Sequence, residues 1–115
     1  MTVTRIDKSH RMSQGVRHGD TIYLAGQVAD NPLPDAKAQT EEILKKIEGL
    51  LGRLGSSKGN LLSATIYLSD IRNFDAMNSA WAAWVDQENP PARATVQANL
   101  AATKYLVEIM VIAAA

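Results

Sequence analysis

The chain has 115 residues, 46% apolar and 21% charged, with 12 Lys and Arg balancing 12 Asp and Glu and no cysteine. That length suits one domain with a core of its own. The balanced charge offers no general track for a nucleic-acid backbone, and the missing thiols exclude disulfides, a cysteine nucleophile and thiolate metal sites.

Residues Met1 to Asp7 lack the apolar core of a signal peptide, and no apolar run reaches membrane-spanning length, so a soluble, cytoplasmic protein is expected. A short strand is expected near Thr4. Gly15-Val16-Arg17-His18, the Gly19-Asp20 dipeptide and Thr21 to Ala25 read as a β-hairpin. Gly26 closes the second strand, where a backbone N–H can face a ligand, and Asn31, Pro32, Pro34 and Asp35 mark a loop.

From Ala36 to Leu54 the period becomes helical. Ile43, Leu44, Ile47, Leu50, Leu51 and Leu54 form one stripe, with Asp35 as N-cap and Gly55 as stop. Glu41 with Lys45 and Glu42 with Lys46 are spaced to pair along the outer face. Leu62, Ala64, Ile66 and Leu68 alternate with polar residues and predict a strand with one apolar face. A second helix is expected over 73–86, with Phe74, Met77, Trp81, Trp84 and Val85 buried and Asn78 set within their stripe. Pro90-Pro91 ends helical structure and opens a strand through Arg93. Tyr105 to Ala113 reads as a last strand, apolar on both faces.

The order is β-β-α-β-α-β-β, an α+β domain over residues 1–115. Two helices can cover one face of such a sheet, and nothing in the chain remains for the other. The leftover apolar face predicts a homo-oligomer whose sheets pack together.

Two charges stand out against their neighbours. Arg93 lies among small residues, with Thr95 and Gln97 on its face of the strand, and Glu108 interrupts an aliphatic run. Either would destabilise the fold if buried unpaired. Two readings stay open: an ion pair between them across adjacent strands, or ligand binding, with the guanidinium gripping a carboxylate and Glu108 acting as base or water-positioning group. Asn78 can orient a ligand or hydrogen-bond a neighbouring backbone group. His10 and His18 have no partner at metal-ligand spacing and read as surface residues. The two Trp residues at helical spacing read as core.

The chain resembles the YjgF/RidA family of imine and enamine deaminases over nearly its whole length. The matching segments are Tyr23-Leu24-Ala25-Gly26-Gln27, Ser63 to Asp70, Phe74-Asp75-Ala76-Met77-Asn78, Asn89 to Val96 and Leu106-Val107-Glu108-Ile109. The Arg5-Ile6-Asp7 start and Lys104 to Ile109 are similar to the YoaB-like branch. The resemblance implies a chorismate-mutase-like fold assembled as a homotrimer, sheets inside and helices outside, with ligand clefts between subunits. It implies that Arg93 holds the substrate carboxylate, Glu108 holds a water, Gly26 and Thr95 line the pocket through their backbones, and Asn78 lies near the site. The implied reaction is cofactor-free hydrolysis of 2-imino acids to 2-oxo acids and ammonia, with neither nucleic acid nor membrane as partner. A trimeric sensor of 2-oxo acids is the alternative; ribonuclease or translation-inhibitor activity is disfavoured by the charge balance. The chain departs from many founding-type members at Met12 (Tyr), Ala25 (Ser) and Thr95 (Cys).

Overall fold

Six strands form one mixed sheet in the computed structural model, which describes residues 1–115. The strands are β1 (Val3–Ile6), β2 (Gly15–His18), β3 (Thr21–Leu24), β4 (Leu61–Leu68), β5 (Ala92–Gln97) and β6 (Val107–Ala114); the helices are α1 (Ala36–Arg53) and α2 (Phe74–Trp84). The sheet order is β1-β2-β3-β6-β4-β5, with β4 and β5 parallel and the other neighbours antiparallel. The expected short first strand is β1, and the Gly19-Asp20 hairpin forms with Gly19 at φ +62°.

Both helices pack on one face of the sheet. The Asp35 side chain accepts from the Ala38 N–H and starts α1. Its whole predicted stripe is buried, and beneath it lie Ile22, Leu24, Ala64, Ile66, Val107, Ile109 and Val111. Gly55, at φ +86°, turns the chain away from the helix. Gln39 on α1 is buried too, because its amide donates to the Leu33 and Lys104 carbonyls (2.7 and 3.0 Å) and accepts from the Leu106 N–H (2.9 Å). It ties the loop before α1 and the loop before β6 to the helix at one point.

Three expectations need correction. Leu62 is not on the apolar face of β4: a register shift between Leu61 and Ser63 sends Leu61 inward and leaves Leu62 51% exposed. Phe74 lies exposed at the start of α2, and Ala80 joins Met77 and Trp81 in the core instead. Neither expected pair along α1 forms: Glu41 and Lys45 make no ion pair, and Glu42 and Lys46 do not pair with each other. Glu42 accepts from the Asp30 and Asn31 N–H groups, and Lys46 bonds Asp30 and the Val28 carbonyl. The 28–31 loop offers them backbone partners, which a partly buried side chain satisfies before an exposed one.

The other face of the sheet has no cover within the chain. Residues 107, 109, 111 and 113 of β6 are buried under the helices, while Glu108, Met110 and Ile112 point the opposite way. Tyr23 and Val96 share that open face and are 48% and 44% exposed. No helix is long and apolar enough to cross a membrane.

Candidate functional site

The candidate residues fall into two groups. The first is built on β5, the edge strand of the sheet. Arg93, Thr95 and Gln97 pair with Ala64, Ile66 and Leu68 of β4, all buried under the helices, so these three side chains point to the helical side. Pro90-Pro91 brings the chain into the strand, and Arg93 meets the first turns of α2. Its Nη1 donates to Asn78 Oδ1 at 2.8 Å, and its guanidinium carbon lies 5.4 Å from the Trp81 ring centre and 5.8 Å from that of Phe74. Positions 74, 78 and 81 are spaced at i, i+4 and i+7, so one helix face presents two rings and an amide to the cation. Burial lowers the Arg93 pKa from its ordinary value.

No carboxylate answers that charge. The chain's four ion pairs are Lys46–Asp30, Arg53–Asp7, Lys58–Glu48 and Arg72–Asp70. A half-buried guanidinium held only by an amide and two ring faces keeps most of its donors for something else. Beside it, the Thr95 hydroxyl is buried without a hydrogen-bond partner.

The second group is on β6. Glu108 pairs with Tyr67 of β4 on the open face and makes no ion pair. Its carboxylate packs over Gly26: a Cβ there would fall on Glu108 Oε2 and lie 3.0 Å from Cδ. The neighbouring Gln27 exchanges two backbone hydrogen bonds with Ile109 (2.8 and 3.0 Å), which fixes Gly26 beside Glu108.

The two groups do not meet. β4 lies between β5 and β6, a separation of about 10 Å at ordinary strand spacing, and Arg93 and Glu108 point to opposite faces. The reading of an ion pair between them across adjacent strands is therefore wrong, since the strands are not adjacent. Neither residue lines the groove of about 440 Å³ that runs along α1 past Gln27, Lys46 and Arg53. His10 and His18 are exposed, and no cluster of three or more His, Asp or Glu could hold a metal ion. Apolar periodicity marks Phe74 and Trp81 as core alone. Their spacing with Asn78 was the signal for a shared partner.

A family model described as Endoribonuclease L-PSP matches residues 2–115. The chain belongs to the YjgF/RidA family. It is 46% identical over 114 residues to the RutC family protein YoaB of Escherichia coli, covering 99% of each chain. A RutC family protein of Haemophilus influenzae is 44% identical over 114 residues, 98% of each. The fold is similar to a crystal structure from Neisseria meningitidis described as a member of the YjgF protein family, with a TM-score of 0.96 at 37% identity, covering 99% of this chain and 95% of that one. A structure from Salmonella typhimurium, described as a putative translation initiation inhibitor, gives 0.90 at 44% identity, covering 99% and 98%. The similarity to YoaB agrees with the resemblance noted at residues 5–7 and 104–109.

Proposed function

We propose that the protein hydrolyses 2-imino acids, formed from enamines such as 2-aminoacrylate, to 2-oxo acids and ammonia. The observation that carries this reading is the Arg93 guanidinium: half-buried, braced by Asn78, and without a counter-ion in its own chain. A planar carboxylate is the ligand such a fork fits in two parallel hydrogen bonds.

The reacting carbon of a 2-imino acid adjoins that carboxylate, so gripping one places the other. Glu108 positions a water and takes its proton as the oxygen adds to the C=N carbon. The resulting carbinolamine collapses with return of a proton to nitrogen, releasing ammonia and leaving the 2-oxo acid. A protonated imine is already electrophilic, and it hydrolyses in water unaided, so the acceleration asked of the site is modest.

In this account the two groups join between copies of the chain. The uncovered sheet face bearing Tyr23, Val96 and Met110 supplies the contact, and a trimer with that face inward brings one subunit's Arg93 toward another's Glu108. The Gly26 N–H, which makes no hydrogen bond within the chain, then lines the cleft beside Glu108.

The test is an imine-loss assay. An amino-acid oxidase generates 2-iminopropionate, and semicarbazide traps what survives. Wild type removes the imine before trapping. Arg93→Lys keeps the charge but loses the fork, so activity falls about 10- to 100-fold, the range of one or two charge-assisted hydrogen bonds. Wild-type turnover by Arg93→Lys would contradict the anchoring role.

A further inference from the structure

The groove beside α1 is lined by a buried side chain whose oxygen the fold does not use. It encloses about 440 Å³, the size of a small-molecule site, and its walls are polar. Gln27, one of the lining residues, is only 3% exposed. Its Nε2 donates to Gln14 Oε1 (2.9 Å) and to the Ala25 carbonyl (3.0 Å). The carbonyl can only accept, so it fixes which end of the Gln27 amide carries the nitrogen. Nothing in the chain donates to Gln27 Oε1, and nothing accepts from Gln14 Nε2. An amide oxygen on so buried a side chain ordinarily has a donor. The two linked amides therefore leave one acceptor and one donor group for a partner from outside the chain.

The rest of the lining narrows that partner. Gly49 lies inside α1, where glycine weakens a helix relative to alanine. The fold gives no reason for it: its φ is not positive, and a Cβ there would meet nothing within 4 Å. Lys46, Gly49 and Arg53 recur at i, i+3 and i+7, so this face of the helix carries two cations with bare backbone between them. Each cation already has its carboxylate, Lys46 with Asp30 at 2.9 Å and Arg53 with both oxygens of Asp7 at 2.8 and 2.9 Å. Two cations and two carboxylates leave the walls without net charge, which favours a neutral or zwitterionic ligand over an anion.

We propose that this groove is a second ligand site, for a small molecule without net charge that bears a primary carboxamide, the class to which the amide amino acids belong. The ligand's NH2 group donates to Gln27 Oε1, its carbonyl accepts from Gln14 Nε2, and its body lies over the bare helix at Gly49. The site is on the helical side of the sheet, whereas Glu108 points to the open face. It does not depend on the reading of Arg93 as a carboxylate anchor.

The experiment titrates nitrogen-labelled protein with L-glutamine and L-asparagine, and with L-glutamate and L-aspartate as controls, and reads Kd by NMR. The acids have nearly the same shape but no NH2 group to donate to Gln27. At least one amide should bind and move the side-chain NH2 signals of Gln14 and Gln27, and its acid should bind at least about tenfold more weakly, the worth of one hydrogen bond. Gly49→Leu fills the groove from a surface position. It should melt no lower than wild type, because the helix loses a glycine, while the Kd of the amide rises about tenfold or more. Arg93→Lys should leave that Kd unchanged, which keeps this site apart from the proposed carboxylate anchor. No saturable shift with either amide up to about 10 mM would overturn the proposal. Equal affinity for amide and acid would overturn it too, and so would wild-type affinity in Gly49→Leu or loss of binding in Arg93→Lys. The comparison of amide with acid uses the wild-type protein and stands whatever the variants do to folding.

Discussion

Gly26→Ala separates the role of Glu108 from the stability of the fold. Gly26 is not in the left-handed region, so alanine meets no backbone strain there. The three atoms nearest the added methyl all belong to the flexible end of Glu108: it would fall on Oε2, with Cδ at 3.0 Å and Cγ at 3.2 Å, against an ordinary contact distance of at least 3.4 Å. The carboxylate must swing away by about 1 Å or more, and a displacement of that size at a catalytic group lowers rate about 100-fold. Swinging this half-buried, unpaired carboxylate breaks no hydrogen bond, so melting should stay within a few degrees of wild type. The assay is imine loss under semicarbazide trapping, with a thermal melt on the same sample. A folded Gly26→Ala protein with wild-type turnover would refute the claim that Glu108 acts from this position.

Gln39→Leu should destabilise the chain by about 3 kcal/mol in urea unfolding, because it strips partners from the Leu106 N–H and from the Leu33 and Lys104 carbonyls. Met110→Lys puts a charge in the middle of the uncovered sheet face and should dissociate the trimer proposed above, seen as a smaller mass in sedimentation, while far-ultraviolet circular dichroism is unchanged. The pH dependence of stability follows from three carboxyls. Asp70 is held down to about 2 by hydrogen bonds from Arg72, and Asp7 and Asp86 are also held below their ordinary value, Asp7 by Arg53 and Asp86 by Asn89. Folded pKa values below the unfolded ones give stabilisation that is complete above about pH 4 and lost as pH falls further. Melting temperature should therefore be insensitive to these groups near neutrality, and Asp70→Asn should flatten part of the acid limb.

Much of this was legible in the residues, and the exceptions have physical reasons. The α1 stripe, its Asp35 cap and the hairpin follow from local spacing and turn chemistry, and they formed as the spacing dictates. A charge in an aliphatic run is conspicuous, so Arg93 and Glu108 could be singled out. Their relation could not. It depends on β4 entering the sheet between β5 and β6, a long-range arrangement with no local signature. The bulge at Leu61 and Leu62 was hidden because both residues are leucine, and alternation cannot tell which one turns inward. Gln39 was invisible for the opposite reason: a glutamine on a helix reads as solvent-facing until the loops it bonds are in place.

The central claim is that Arg93 of one subunit works with Glu108 of another, and mixing inactive variants tests it most directly. Arg93→Ala and Glu108→Ala are each prepared alone, then unfolded together, refolded as mixed assemblies and assayed for imine loss. Each variant alone should be inactive. Random mixing in a ring of equivalent clefts leaves about a quarter of them with both residues intact, so about a quarter of wild-type activity should return. Mixed assemblies, verified by mass, that remain as inactive as the parents would contradict a site shared between subunits.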